Sequence, residues 1–149
     1  MIETWDRRVH ILLVEDNPAD VRLIQEALKT TELECVLETA ADGEEALIRL
    51  FSEATSLLPP DLIILDLNLP RRSGHDVLSL IKADPKTRSI PVIVLSSSGL
   101  AEDVQKAYGE HANCYIQKPE NIDDLFRICS LLEAFWFEVA KLPKNQRVM

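Results

Sequence analysis

Residues 62–70 read LIILDLNLP. Four aliphatic residues, Leu62 to Leu65, run straight into the carboxylate of Asp66, with Asn68 and Pro70 just beyond. A strand that is apolar on both sides of its pleat belongs inside a sheet covered on both faces. Asp66 therefore stands at the rim of a buried sheet. Alone, it reads either as a cap or turn former or as a reactive group held rigidly at that rim. The remainder of the chain decides between them.

Short apolar runs recur at His10–Val14 (HILLV), Cys35–Glu38 (CVLE), Val92–Leu95 (VIVL) and Cys114–Gln117 (CYIQ). Stretches of helical spacing separate them. Val21, Ile24 and Leu28 share one face after Asn17-Pro18, a cap residue followed by a favoured first helical residue. Ala46, Leu47 and Leu50 repeat the pattern after Asp42-Gly43, and Val77, Leu78 and Ile81 after Ser73-Gly74, where Asp84-Pro85 ends the helix. Val104, Ala107 and Tyr108 mark a fourth helix, and a longer fifth begins near Ile122. Five strands alternating with five helices predict an α/β fold, a doubly wound parallel sheet with helices on both faces. The runs at 62–65 and 92–95 should be central. Ligands of such sheets bind beyond the carboxyl ends of the strands.

The chain has 149 residues, a length that suits one domain. Its formal net charge is −9. That argues against partners such as nucleic acid or an anionic membrane surface, which require clustered cations, although acidity also serves plain solubility. Cys35, Cys114 and Cys129 are widely spaced among apolar neighbours, without a CxxC pair, and read as buried thiols of a reducing compartment. The charged N-terminus MIETWDRRVH lacks the apolar core of a signal peptide, and no apolar run approaches the ~20 residues of a membrane span. A cytoplasmic location is expected.

The chemistry lies at the strand ends. The first strand ends in Glu15-Asp16, the third in Asp66 with Asn68 beyond, the fourth in Ser96 and the fifth in Lys118-Pro119. Individually, each is an ordinary cap, turn or solvated strand end. Together, a doubly wound sheet brings them to one rim. Carboxylates there at ~5 Å would repel by roughly 3 kcal/mol per pair at an effective dielectric of ~20. They must hold protons, recruit Lys118 or bind a cation, and an oxygen-only set suits Mg2+. A carboxylate nucleophile, Mg2+, a lysine and a hydroxyl form a phosphoryl-transfer set.

The order LVEDNP (13–18), LIILDLNLPRRSG (62–74), PVIVLSSS (91–98) and CYIQKP (114–119) resembles the receiver domain of two-component response regulators across nearly the whole chain. The resemblance implies a CheY-like, flavodoxin-like fold with strand order 2-1-3-4-5. It implies Asp66 as phosphoacceptor, Asp16 as direct Mg2+ ligand, Glu15 as its water-mediated partner and the Asn68 carbonyl as a further ligand. It also implies Ser96 and Tyr115 as switch residues, Lys118 as the phosphoryl-binding lysine and a cis Lys118-Pro119 bond. Such a protein is a signalling phosphoacceptor rather than an enzyme, assisting its own phosphorylation and dephosphorylation. The chain departs from the common pattern at Glu15 (often Asp), Ser96 (usually Thr), Ser97 (usually small and apolar) and Glu120 (often aromatic).

Along the fifth helix, Ile122, Leu125, Cys129, Leu132, Trp136 and Val139 form a stripe expected to face the sheet. Ile128, Leu131 and Phe135 form a second stripe, expected to be a homodimer interface unless the tail folds over it. The expected organisation is a tail at 1–9, a receiver at 10–139 and a tail or dimer arm at 140–149, without an output domain. The segments NCYIQKPENIDDLF (113–126) and DLFRICSLLEAFWFEVAKLP (124–143) look similar to the cyanobacterial phytochrome-associated response regulators. That similarity implies a phytochrome histidine kinase as partner, and dimerisation through the fourth and fifth helices and the fifth strand. Two alternatives stand beside this reading: a phosphorylation-independent dimeric binding module on the same fold, and a phosphohydrolase with an Asp nucleophile, for which Asn68 is a poor acid/base.

Overall fold

The computed structural model describes residues 8–29, 35–52 and 58–143. The elements run β1 (Val9–Val14), α1 (Pro18–Lys29), β2 (Cys35–Ala40), α2 (Gly43–Phe51), β3 (Leu62–Leu65), α3 (Gly74–Ala83), β4 (Val92–Ser96), α4 (Ala101–Gly109), β5 (Cys114–Gln117) and α5 (Ile122–Glu133), which continues as a π-helical segment over Ala134–Val139. All strands are parallel, in the order β2-β1-β3-β4-β5. This is the flavodoxin-like arrangement. β3 and β4 are buried throughout, as their two-sided apolar sequences require. The flanking β2 and β5 are mostly half-buried.

Period-two alternation divides the core between the faces. Leu12, Val14, Ile63, Leu65, Val92 and Val94 pack with Ala46 of α2, Val77, Leu78 and Ile81 of α3, and Ala107 of α4. Ile11, Leu13, Leu62, Ile64, Ile93 and Leu95 pack with Ile24, Ala27 and Leu28 of α1 and Leu125 and Cys129 of α5. The helices differ in their hold on the sheet: α3 buries Gly74, Val77, Leu78 and Ile81, whereas α4 buries one residue, Ala107. Tyr108, expected on the inner stripe of α4, is exposed. Its hydroxyl instead accepts from Tyr115 N–H at 3.1 Å.

Helix starts follow their sequence signals. Asn17 Oδ1 accepts from Ala19 N–H at 2.9 Å, and Pro18 is the first helical residue. Ser73 caps α3 through Asp76 N–H, and Asn121 caps α5 through the N–H groups of Asp123 and Asp124.

The ends of the chain depart from the expected boundaries. β1 begins at Val9, paired with Cys35, so the sheet takes a residue assigned to the tail. Of the expected tails, residues 1–7 and 144–149 lie outside the described residues. Leu142 packs half-buried on the α1/α5 cluster. The inner stripe of α5 holds for Leu125, Cys129, Leu132 and Trp136 but fails at its ends, where Ile122 and Val139 are exposed. The π-helical winding explains the far end. Ala140 N–H bonds Phe135 C=O at 2.7 Å, and this wider turn shifts the phase, so that Phe137 packs on the core. At the near end, Ile122 lies in the exposed first turn, beside Asp123 and Asp124. No described helix is long and apolar enough to cross a membrane.

Candidate functional site

Hydrogen bonds carry the sheet's registration past the strand ends. Asp66 N–H donates to Val14 C=O at 2.9 Å, Glu15 N–H to Ala40 C=O at 3.0 Å, and Lys118 N–H to Ser96 C=O at 2.7 Å. Neighbouring strands thereby fix the backbone of the residues that end them. Glu15 and Asp66 are 2% and 6% exposed, and Ser96 is fully buried. Their positions are set by the buried strands behind them rather than by mobile loops.

The Lys118 ammonium joins these groups. It donates to Glu15 Oε1, to Asp20 Oδ2 at 2.9 Å and to Asp66 Oδ2 at 3.3 Å. Burial alone would lower the lysine's pKa, but hydrogen bonds to Glu15 and Asp20 and the charge of Asp66 raise it. Glu15 also accepts from Asp16 N–H at 3.0 Å. Burial, and then its contact with Asp66, pushes the Glu15 carboxyl up, against the pull of Lys118. The second oxygen of Asp66, Oδ1, accepts from Asn68 N–H at 3.1 Å.

Glu15, Asp16 and Asp66 each offer a carboxylate oxygen within 4.8 Å of the others. A single lysine cannot neutralise this concentration of negative charge. A hard divalent cation fits it, since Mg2+ favours carboxylate and carbonyl oxygens and retains several waters. Asp16 is exposed and open to solvent, whereas Glu15 is buried behind it.

Ser96 Oγ accepts from Ser98 N–H at 3.4 Å, and Ser98 Oγ donates to Asp103 Oδ2 in the first turn of α4. Tyr115 packs half-buried against the α2–α4 side of the core. Its hydroxyl donates to Ser98 C=O at 2.7 Å. Ser96 and Tyr115 are thus linked to one another through Ser98. One expectation is corrected: the Lys118-Pro119 bond is trans, and no described peptide bond is cis. Trans is the lower-energy isomer by about 0.5–1 kcal/mol before proline, and the ammonium reaches all three carboxylates from it. Ile128, Leu131 and Phe135 lie away from this rim on α5, Ile128 half-buried and the other two 59% and 52% exposed.

Residues 11–130 match the family model for the response regulator receiver domain. The chain belongs to that family. The receiver is 44% identical over 135 residues to response regulator Rcp1 of Synechocystis sp., covering 89% of this chain and 92% of that one. It is 40% identical over 135 residues to a probable methanogenesis regulatory protein, FilR2, of Methanothrix harundinacea, covering 89% and 86%. Among solved structures, the phosphorylated cyanobacterial phytochrome response regulator RcpA superposes with a TM-score of 0.89 at 46% identity, covering 92% of this chain and 99% of that one. The Mn(2+)-bound form of Rcp1 gives 0.86 at 43%, covering 91% and 99%.

Two residues of the receiver's site escaped the sequence reading. Asp20 resembles any acid in the first turn of a helix, where the macrodipole favours negative charge. Ser98 acts partly through its carbonyl, which residue type does not encode.

Proposed function

We propose that this receiver accepts a phosphoryl group on Asp66 from the phosphohistidine of a sensor histidine kinase, in a Mg2+-dependent reaction, and signals by altering its protein contacts. The observation that carries the reading is the convergence of Lys118 with the buried carboxylates of Glu15 and Asp66, beside the open carboxylate of Asp16. Asp66 attacks phosphorus through a carboxylate oxygen, forming the new O–P bond as the P–N bond to histidine breaks. Lys118 turns a donor toward the incoming phosphoryl oxygens. Bound Mg2+, held by Asp16, Asp66 and the Asn68 carbonyl, with Glu15 through water, would offset the charge that gathers on those oxygens. The Ser96 hydroxyl gives its hydrogen bond to the aspartyl phosphate, and the Asn68 side chain orients the water that later hydrolyses it.

Movement of Ser96 draws on the link to Ser98, to which both Tyr115 and Asp103 of α4 are bonded. Phosphorylation biases the receiver only by as much as it interacts differently with the two arrangements. The unit that responds runs from β1, which begins at Val9, through Val139 and works in the cytoplasm. The relatives support a phytochrome as the kinase. The apolar residues exposed on α5 support a homodimer through α4, β5 and α5.

Incubation with acetyl phosphate and Mg2+, or with a phosphorylated histidine kinase, should place one phosphoryl group on wild type and none on Asp66→Asn. Equal labelling of both proteins overturns the assignment.

A further inference from the structure

An ammonium has three donors, and Lys118 spends all three on carboxylates: Glu15, Asp20 and Asp66. Asp20 belongs to α1 and lies outside the Glu15, Asp16 and Asp66 cluster suited to a cation. The three bonds are unequal. The bond to Asp66 is the longest at 3.3 Å, whereas that to Asp20 is 2.9 Å. The exposures differ too: the Lys118 side chain is 13% exposed, that of Glu15 2% and that of Asp20 25%. Phosphoryl oxygens on Asp66 stand farther out than its own carboxylate, so an ammonium that follows them must loosen its bond to Glu15 or to Asp20. Leaving the buried Glu15 unpartnered costs its full desolvation, whereas water can take the place of Lys118 at Asp20.

From this geometry we infer that Asp20 is a positioning residue acting through Lys118. It holds the ammonium on the α1 side of the rim and must yield it when Asp66 takes up a phosphoryl group. Asp20 thus restrains phosphorylation. The inference rests on Asp66 being the phosphoacceptor. With acetyl phosphate as donor, an Asp66 oxygen forms its bond to phosphorus as the acyl O–P bond breaks and acetate departs, with no net proton change. Asp20 takes no part in those bonds.

The test measures the rate of phosphorylation by acetyl phosphate and Mg2+, with intact-protein mass spectrometry, in a double-mutant cycle of Asp20→Asn and Lys118→Met. Asp20→Asn keeps the side chain's shape and removes its charge. It should accelerate phosphorylation of the otherwise wild-type protein about fivefold, the scale of one partly exposed ion pair. In the Lys118→Met background the same substitution should change the rate less than twofold, and Asp20→Glu should return the rate toward wild type. Equal acceleration in both backgrounds would mean that Asp20 merely repels the anionic donor, and overturns the inference, as does an unchanged or slower Asp20→Asn. Wild type that takes no phosphoryl group on Asp66 overturns the phosphoacceptor reading and this inference with it. A phosphorylated wild type with an inert Asp20 overturns this inference alone.

Discussion

Gly74 lies against the backbone of Asp66: a β-carbon at position 74 would collide with the Asp66 carbonyl oxygen and stand 2.5 Å from Leu67 Cα. Gly74 N–H also donates to Leu67 C=O at 2.9 Å. The first turn of α3 is thus seated directly on the segment that presents the acid. Both sides of the contact are backbone, so neither can yield by changing a rotamer. Gly74→Ala should destabilise the protein by about 1–3 kcal/mol, the usual cost of overpacking, and urea denaturation reads it as a lower midpoint with an unchanged slope.

Metal should stabilise the fold through the cluster of Glu15, Asp16 and Asp66. At a Mg2+ concentration one hundred times Kd the gain is about 2.7 kcal/mol, seen as a rise in Tm. Asp16→Asn should lose most of that rise. Because Asp16 is exposed and its charge adds to the local repulsion, the metal-free variant should melt no lower than wild type.

Glu133 gives a pH dependence separate from the rim. It is 9% exposed, and its Oε1 has no hydrogen-bond partner among the described residues. Burial, and secondarily the charge of Glu138, pushes its carboxyl up to about 7. The folded protein therefore keeps a proton that the unfolded chain releases near the ordinary carboxyl value. The associated stability is complete below that value and is lost as pH rises through about 7. Between pH 5 and 8 (roughly the window of that loss), wild type should lose about 1–2 kcal/mol more than Glu133→Gln, measured by thermal melts across the range.

The proposed dimer has its own test. Leu131 and Phe135 are more than half exposed, and the Phe135 ring stands edge-on to Trp136 at 5.1 Å. Phe135→Asp should convert a dimeric light-scattering mass to that of a monomer that keeps the wild-type circular dichroism spectrum. An unchanged mass would mean that this stripe does not join two copies.

The central architecture was legible because burial constrains composition most tightly there. Leu62–Leu65 and residues 92–95 are apolar on both faces for a simple geometric reason: helices cover both faces. The rim was legible because parallel strands must end near one another, so acids, serine and lysine at separate strand ends share a neighbourhood. What stayed hidden depends on geometry that residue type does not record. The switch to π-helical winding at Ala134 displaced Val139 from the predicted stripe and brought Phe137 in. Asp20 entered the Lys118 network because of where α1 lies. The trans bond before Pro119 ran against the family resemblance, not against the intrinsic preference.

The shallow seating of α4 has a mechanical consequence. This helix anchors itself in the core through Ala107 alone and begins at Leu100 without a side-chain cap. Its first turn is tethered at Asp103 to Ser98, and Ser98 in turn to the buried Ser96. A load applied at the rim therefore meets a compliant element before a stiff one. α3, pinned by four buried residues, stays put as ballast, while α4 can tilt or lose its first turn at little expense in buried contact. The fold thus places a helix with a single buried residue at the end of the tether from Ser96, the element that the proposed signal would reach first.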